Sequence, residues 1–416
     1  MSKKDNLSIL FHIKQSATIF GEREAFVIRR KIRKERILYR EIPELIAQIE
    51  IYFRRNKIGN NSKILFWGTN CPEYALLLLT TFGAGRVGIP IDYRTNEENI
   101  KAIIDKTKPS FAFISKYFKA DFLKKENIGI FYIEDLLDNL KKNRIKGDFQ
   151  KLLENKTYSN PKRLVEIVFT SGTTGLPKGV EIRQKNILVN LAQVESSLPD
   201  LTEARMISLL PLSHMFEHVV GLFLAITHGA SIFYLPRVNS YRMAKAFMEY
   251  KPTHQIFVPQ LLKMLWERIE DKAREKGKYK KLQTALKISQ YLPMNLRRFL
   301  FADIHKQLGG ALQLFACGGA PLDPAIGMNW GRVGIPVIEG YGATEITAIA
   351  TVNPYRNIRY GSAGKPVEGI NLSLDENKEI IIQSEAVSSG YYHDYERTKA
   401  VFTSKGYRTG DIGELD

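Results

Sequence analysis

The chain has 416 residues, which is enough for two or three domains with large hydrophobic cores. A hydrophobic content of 44% and an aromatic content of 11% exclude an intrinsically disordered protein, and no apolar run reaches the ~18–20 residues of a membrane-spanning helix. The net charge of +17 suits anionic partners, but no zinc-finger or RRM signature indicates nucleic-acid binding. Two cysteines, Cys71 and Cys317, provide neither a disulfide framework nor metal-ligand spacing, and the absence of a signal-peptide pattern also favours a cytoplasmic protein.

The first 163 residues alternate between helical and strand patterns, which is typical of a doubly wound α/β sheet. Residues 1–60 are predicted to be helical and basic, because apolar residues between 42 and 53 recur at helical spacing. Beyond them the pattern predicts strands at 63–67, 111–114 and 129–133, a loop that leads into a strand at 83–91, and helices at 72–81 and 97–106. The polar segment 134–163 is predicted to be a connector.

The most informative stretch follows this connector. An apolar run at 165–169 and a second run at 180–182 enclose a loop rich in glycine and hydroxyl groups. Such a loop can turn backbone N–H groups and hydroxyls toward a polyphosphate, with a lysine to offset the charge. It is not a Walker A loop, because no helix opens after the lysine; the alternative is a solvent-exposed hairpin loop. The candidate phosphate-binding residues are Thr170, Ser171, Gly172, Thr173, Thr174, Gly175 and Lys178.

The second half predicts another α/β unit with a helical insertion at 266–306. Strands are predicted at 206–210, 231–235, 255–258, 312–316 and 336–338, with helices at 186–197, 219–227 and 241–250. The insertion contains 11 Lys and Arg residues against 5 Asp and Glu residues, so a basic amphipathic helix could contact a membrane surface; the alternative is an exposed helix pair. After residue 351 short β runs alternate with turns, which predicts a β-rich subdomain at 352–416.

Three motifs in chain order resemble those of the adenylate-forming superfamily, which includes acyl-CoA synthetases. They are the 170–179 loop, the Gly-Tyr-Gly-Ala-Thr-Glu segment at 340–345 and the Tyr-Arg-Thr-Gly-Asp segment at 407–411. The insertion and the Leu-Ser-His-Met-Phe-Glu-His segment at 212–218 resemble the long-chain fatty acid–CoA ligase branch. The resemblance implies the large N-terminal domain of an acyl-CoA synthetase, with α/β subdomains at 1–163 and 164–351 followed by the β-rich subdomain.

The resemblance also implies a chemistry. In this superfamily a carboxylate attacks the α-phosphorus of ATP, pyrophosphate leaves, and the thiol of coenzyme A then displaces AMP. Lys178 would offset phosphate charge, Thr344 would donate to the α-phosphate, and Glu345 would bind Mg²⁺ with Thr170 as a second contact. The alternative for Glu345 is a carboxylate favoured by a helix N-terminus.

Further implied residues would hold the adenosine and the acyl chain. Gly318, Gly319 and Ala320 would approach the adenine, Tyr341 with Gly342 would offer an aromatic face, and Asp411 would accept both ribose hydroxyls. His214 would line the acyl site, between the 213–223 segment and the strand near 314–320. The apolar residues predicted to line that pocket, unless they are plain core, are Met215, Phe216, Val220 and Phe223. Glu217 is the only acid in 213–217, and this argues against an amino-acid substrate.

The implied partners are a fatty acid and coenzyme A. Other interpretations left open are loading of an acyl carrier protein, a non-catalytic adenylate-binding module, a homodimer, a separate C-terminal lobe, and peripheral contact of 266–306 with the inner membrane face. The chain ends five residues after Asp411, before the hinge and C-terminal domain of the superfamily. We therefore expect a truncated protein that performs the full reaction poorly on its own.

Overall fold

The computed structural model describes residues 8–31, 33–170 and 177–416. Within these ranges lie two 3₁₀ turns (Ile133–Asp135 and Thr344–Ile346) and a π-helix (Glu217–Leu224). The α-helices are α1 (Ile9–Phe20), α2 (Glu41–Arg55), α3 (Pro72–Gly83), α4 (Glu97–Thr107), α5 (Asp121–Lys124), α6 (Leu136–Lys142), α7 (Phe149–Glu154), α8 (Gln184–Glu195), α9 (Ala225–Thr227), α10 (Ser240–Tyr250), α11 (Pro259–Glu275), α12 (Tyr279–Ser289), α13 (Met294–Leu300), α14 (Ala302–Gln307), α15 (Pro324–Arg332) and α16 (Tyr395–Val401).

The strands form four sheets among the described residues. They are β1 (Glu24–Arg30), β2 (Arg33–Leu38), β3 (Lys63–Trp67), β4 (Val87–Ile91), β5 (Phe111–Ile114), β6 (Gly129–Tyr132), β7 (Leu164–Thr170), β8 (Lys178–Arg183), β9 (Arg205–Ser208), β10 (Ser231–Tyr234), β11 (His254–Phe257), β12 (Leu314–Cys317), β13 (Val337–Tyr341), β14 (Thr351–Val352), β15 (Lys365–Pro366), β16 (Asn371–Leu374), β17 (Glu379–Gln383), β18 (Phe402–Thr403) and β19 (Gly406–Ile412).

The largest sheet has six strands in the order β6-β5-β3-β4-β7-β8. Its first five strands are parallel, and β8 returns antiparallel to β7 at the edge. The inner strands β3 and β4 are apolar runs because both faces of a parallel sheet are covered. Helix α3 is buried along its whole length, since it packs against helix α2 and against strands β1, β4 and β7. The predicted α/β fold is confirmed.

The other sheets follow the orders β2-β1-β10-β9, β11-β12-β13-β14-β15 and β16-β17-β19-β18. Two of the four sheets take strands from both sides of the boundary predicted at 163/164: β7 and β8 complete the six-stranded sheet, and β1 pairs with β10. Hydrogen-bonded pairing therefore does not follow this predicted boundary, and the division into subdomains stays a prediction. The antiparallel sheet of β16–β19 lies within the segment predicted to be β-rich.

Two segments contain local structure that the sequence did not predict. Residues 1–60 are not wholly helical, because β1 and β2 form a hairpin between α1 and α2. Strand β2 is largely exposed and charged at a sheet edge, so its sequence carries no apolar alternation, and pairing with β1 determines its conformation. The polar connector at 134–163 contains helices α6 and α7, whose few apolar residues, such as Leu140 and Leu152, are buried.

No helix among the described residues is long and apolar enough to span a bilayer.

Candidate active site

The hairpin of β7 and β8 carries the predicted phosphate loop. Thr170 pairs with Lys178 at the end of the two strands, so the predicted strands on either side of the 171–177 segment are confirmed. The predictions for Ser171, Gly172, Thr173, Thr174 and Gly175 lie outside the described residues. The ammonium group of Lys178 lies 5.7 Å from the centre of the Tyr391 ring.

The Gly340–Glu345 motif begins inside a strand rather than in a loop, because β13 extends through Gly340 and Tyr341. Gly342 has no space for a side chain: a Cβ atom there would lie 1.7 Å from the carbonyl oxygen of Ala348. The chain after the motif folds back through two left-handed residues, Thr347 (φ 61°) and Ala348 (φ 104°). Such conformations in non-glycine residues carry strain and require surrounding contacts to hold them.

Side chains from two other segments provide those contacts. The Thr347 hydroxyl donates to the carbonyl of Ala386 at 2.7 Å. The amide of Asn190 on α8 donates to the carbonyl of Ile349 at 2.7 Å and accepts from its N–H at 3.3 Å. The motif therefore occupies one defined position above the sheet, and this position sets where Thr344 and Glu345 point.

Glu345 is a buried carboxylate held by a segment that sequence analysis did not single out. The hydroxyl of Tyr391 donates to Oε1 of Glu345 at 2.8 Å, and the N–H of Ser388 donates to the Glu345 carbonyl at 2.8 Å. Burial, with a further contribution from Glu345, raises the pKa of Tyr391, so its hydroxyl stays a donor. Oε2 of Glu345 has no hydrogen-bond donor among the described residues. One free carboxylate oxygen fits a Mg²⁺ ion that takes its other ligands from phosphates and water.

The segment that carries Tyr391 also pairs with strand β8 of the β7–β8 hairpin. Glu181 of β8 donates its N–H to the carbonyl of Gly390 at 3.0 Å, and Tyr392 donates its N–H to the carbonyl of Gly179 at 2.7 Å. Tyr391 thus sits opposite Val180 like a residue of an added strand. Lys178 and Glu345, which are 167 positions apart in sequence, are connected through this one tyrosine.

Asp411, the predicted ribose ligand, lies on β19 and contacts the aromatic residue of the motif. The hydroxyl of Tyr341 donates to Oδ2 of Asp411 at 2.7 Å. Burial and then the hydrogen bond to Asp411 raise the pKa of Tyr341, so the phenol remains protonated. The structure therefore brings Tyr341 and Asp411 together, and Asp411 is exposed enough to accept further donors.

The Gly318–Gly319 turn follows β12, beside the motif on β13. Gly319 has φ +84°, a conformation that favours glycine, and a Cβ atom on Gly318 would lie 3.3 Å from the ring of Phe216. Both glycines line the cavity described below, whereas Ala320 is exposed and outside its wall.

A cavity of about 670 Å³ starts at these loops and continues into the protein. Its glycine-rich part is lined by Gly318, Gly319, Gly340, Tyr341, Gly342, Ala343 and Thr344. Its apolar part is lined by Met206, Leu209, Met215, Phe216, Val220, Leu224, Ile256, Leu314, Ile338 and Ile349. Phe223 is not in the wall, contrary to prediction; it packs in the core with its ring centre 5.0 Å from that of Phe82. Cys317 lines the cavity, but burial raises the pKa of its thiol to about 12, so it stays protonated at neutral pH.

His214 belongs to an exposed polar cluster on the wall of the cavity. Nε2 of His214 lies 2.7 Å from Oδ2 of Asp92, and Arg94 makes a forked contact with the same carboxylate at 2.6 to 3.1 Å. Burial alone would raise the pKa of Asp92, but hydrogen bonds from His214 and Arg94 lower it well below its usual value. Sequence analysis did not predict Asp92 and Arg94 as site residues. Their position just after the buried strand β4 could have indicated them, because ligands bind at the carboxyl ends of strands in open α/β sheets.

A second polar cluster lies beneath the cavity and is fully buried. Ser208 donates to Glu217 at 2.6 Å, and Nε2 of His218 lies 3.3 Å from Glu166 on the strand that leads to the phosphate loop. Burial raises the pKa of Glu217 to about 8 and lowers that of His218 to about 4. Glu217 does not line the cavity, so it is not available there to bind a substrate amine.

This burial predicts a pH dependence of stability. Because the pKa of Glu217 is raised from 4.5 to about 8, the native state holds a proton that the unfolded state releases. The contribution of Glu217 to stability is therefore full below pH 4.5 and is lost as the pH rises through 8. Gln at this position keeps the Ser208 hydrogen bond and cannot ionise. We expect the unfolding free energy of Glu217→Gln, measured with urea, to increase relative to that of wild type by several kcal/mol between pH 5 and pH 9. A difference between variant and wild type that is the same at every pH would contradict this prediction.

Comparison with known proteins identifies the family. The family described as AMP-binding enzyme matches residues 13–392. The chain belongs to the AMP-binding enzyme family. The long-chain-fatty-acid–CoA ligase FadD15 of Mycobacterium tuberculosis is 22% identical over 85% of the chain, and the human long-chain-fatty-acid–CoA ligase 1 is 27% identical over 91%. The chain spans 63% and 61% of the length of these two relatives.

Solved structures show the fold of this AMP-binding enzyme independently. The N-terminal domain of FACL13 from Mycobacterium tuberculosis superposes with a TM-score of 0.78 at 18% identity, covering 98% of this chain and 97% of that domain. The O-succinylbenzoate coenzyme A synthetase of Bacillus subtilis, solved in complex with AMP, gives a TM-score of 0.75 at 18% identity and covers 97% of this chain and 95% of its own.

Proposed function

We propose that this AMP-binding enzyme is an AMP-forming acid–thiol ligase that activates a medium- or long-chain fatty acid. In the first step a carboxylate oxygen of the fatty acid bonds to the α-phosphorus of ATP, and the bond to pyrophosphate breaks. In the second step the sulfur of coenzyme A bonds to the acyl carbon, and AMP leaves with the electron pair. The observation that carries the proposal is the single cavity that joins the motif loop to an apolar interior.

The apolar part of the cavity supports a fatty substrate. Leucine, isoleucine, methionine and phenylalanine side chains form much of its wall, and the buried acid Glu217, which follows the wall residue Phe216 in the chain, accepts a hydrogen bond from Ser208 instead. A hydrocarbon chain gains ~0.8 kcal/mol for each methylene group that it buries. The carboxylate of such a chain would then lie near Thr344, where the nucleotide loops converge.

The polar residues have roles that follow from their positions. Lys178 and the 170–175 residues would neutralise the β- and γ-phosphates, and Thr344 would donate to the α-phosphate. Glu345, with Thr170 as a second contact, would hold a Mg²⁺ ion, which supplies charge neutralisation for the departing pyrophosphate when bound. Asp411 would accept the ribose hydroxyls beside Tyr341, and His214 would line the entry of the acyl site. The protein binds and orients two anions, since the substrate itself supplies the nucleophile.

The test is ATP–pyrophosphate exchange with carboxylates from acetate to palmitate, measured on this chain and on any longer form that its gene encodes. We expect exchange to rise with chain length and Glu345→Gln to lower it by about a hundredfold or more. Adding coenzyme A or a phosphopantetheinylated carrier protein then identifies the thiol. No exchange with any carboxylate in either version, with ATP binding retained, would support a non-catalytic adenylate-binding module instead.

The predicted membrane contact of 266–306 has a structural basis of its own. Six large apolar side chains at the end of α12 and along α13 face solvent, with Tyr291 83% and Phe299 82% exposed. The others are Ile288, Met294, Leu296 and Leu300. Monomeric soluble proteins seldom expose so many neighbouring apolar residues without a partner. Because the same segment has more than twice as many basic as acidic residues, we propose that it binds an anionic bilayer surface, where fatty acids partition.

Vesicle sedimentation checks this contact. We expect the double variant Tyr291→Ser with Phe299→Ser to bind vesicles of phosphatidylglycerol and phosphatidylcholine about a hundredfold less tightly or more, because each ring contributes ~1.5–3 kcal/mol when buried and the variant removes two rings. Tyr395→Ser is the matched control, since Tyr395 is 74% exposed on α16, outside the segment. Equal sedimentation of the double variant and the wild type would contradict the proposal.

A further inference from the structure

A second cavity, of about 280 Å³, shares no lining residue with the first. It lies between α10, α11 and α14 and ends at Trp330 of α15. The residues that line it are Ser240, Met243, Ala244, Phe247, Leu265, Arg268, Ile269, Lys272, Ile304, Gln307, Leu308 and Trp330. Most of this wall is hydrocarbon, and its innermost members, such as Phe247 and Trp330, are buried.

Two cations occupy the rim on one face of α11. Arg268 donates to the hydroxyl of Ser240 at 2.7 Å, and Lys272 donates to the side-chain carbonyl of Gln307 at 2.8 Å. Both partners are neutral, and no carboxylate lies within ion-pair distance of either cation among the described residues. Residues four apart on a helix face the same way, with ~5–6 Å between their Cβ atoms, so both charges can reach one anion.

Only the cations on this face of α11 lack an acidic partner among the described residues of the helix. Elsewhere on α11, Lys263 is paired with Glu267 at 3.9 Å, and Arg274 is paired with Asp271 at 2.7 Å. The acids of α11 therefore neutralise cations that point away from the cavity and leave the two at its rim without a counter-ion. An anionic single-chain lipid would complement this arrangement, because its head group could pair with the two cations and its hydrocarbon chain could fill the apolar cavity.

We propose that this cavity is a second binding site for a fatty acid, separate from the site of the proposed reaction. The carboxylate would lie between Arg268 and Lys272 and replace Ser240 and Gln307 as their partner. The hydrocarbon chain would lie along Leu265 and Ile269 toward Trp330. A fatty acid fits better than a larger lipid, because the cavity has less than half the volume of the first one. The ligand is thus of the same chemical class as the proposed substrate, but no step of the reaction depends on this site.

Isothermal titration with dodecanoate tests the proposal on the whole chain. We expect the wild type to bind one molecule more than Ala244→Phe, because Ala244 is an exposed residue of the wall and a phenyl ring there fills the opening. Met248→Phe is the matched control: Met248 is exposed on the same helix but is not part of the wall. The difference of one bound molecule does not depend on the proposed reaction, which ATP–pyrophosphate exchange tests separately.

The head group is tested by a second pair of variants. The combination of Arg268→Gln and Lys272→Gln should raise the dissociation constant of this site for dodecanoate about tenfold, whereas Lys263→Gln should leave it unchanged. Dodecanol should bind the wild-type site about tenfold more weakly than dodecanoate does. Equal stoichiometry in wild type and Ala244→Phe, or equal affinity for the acid and the alcohol, would overturn the proposal.

Discussion

Gly342→Ala is expected to lower ATP–pyrophosphate exchange by about a hundredfold or more. The added Cβ atom would lie 1.7 Å from the carbonyl oxygen of Ala348, which is far shorter than a van der Waals contact. The backbone opposite cannot move away freely, because Asn190 holds Ile349 and Ala386 accepts from Thr347. The motif strand must shift instead, and with it Thr344 and Glu345. Displacing a catalytic group by about 1 Å can cost a hundredfold in rate.

The control for this prediction is Gly59→Ala. A Cβ atom on Gly59 has no heavy atom within 4 Å, and the residue does not need a left-handed backbone. The same chemical change should therefore leave both exchange and thermal unfolding close to wild type. Unfolding of Gly342→Ala must be measured beside exchange, since the clash also costs stability. A Gly342→Ala variant that exchanges pyrophosphate at the wild-type rate would show that the motif does not occupy this position.

The parts of the site that could be predicted are those with a local signal. Strand β7 and the first two residues of β13, Val337 and Ile338, are apolar because parallel strands are covered on both faces, so the strands that precede the two motifs could be located from the sequence. Glycine positions such as Gly319 and Gly342 are informative for a similar reason, because a left-handed backbone or a close approach excludes other residues. Such features can be predicted because they depend on residues close by in the chain or on the backbone of the residue itself.

The parts that could not be predicted depend on contacts between distant segments. Strand β2 is charged and largely exposed, and it is a strand because β1 is beside it. The wall of the larger cavity includes Val220 but not Phe223, although both are apolar, because the π-helix points one side chain toward the cavity and the other toward Phe82. The cluster of His214, Asp92 and Arg94 joins residues about 120 positions apart. No spacing rule within one element connects such pairs.

Tyr391 is the residue of the site that depends most on such distant contacts, and removing its hydroxyl should expose its role. Tyr391→Phe is expected to lower exchange about tenfold and to raise the Mg²⁺ concentration needed for half-maximal exchange. The hydroxyl donates to a buried carboxylate at 2.8 Å, and hydrogen bonds to charged groups contribute ~1.5–3 kcal/mol. Without it, one oxygen of Glu345 loses its donor and the carboxylate is free to rotate. The phenyl ring still lies beside Lys178, so the variant isolates the hydroxyl from the ring.

The neighbouring residue offers a matched control. The hydroxyl of Tyr392 lies 3.2 Å from the ammonium of Lys63 and has no contact with Glu345 among the described residues, so Tyr392→Phe should leave the Mg²⁺ dependence unchanged. A purely structural role for Tyr391 would lower thermal stability and the amount of active protein without moving the Mg²⁺ midpoint. A shifted midpoint with unchanged stability would instead identify Tyr391 as the residue that positions Glu345. Because Tyr391 is held against β8 by the backbone of Gly390 and Tyr392, the β7–β8 hairpin and the carboxylate of Glu345 would then respond together to a bound nucleotide.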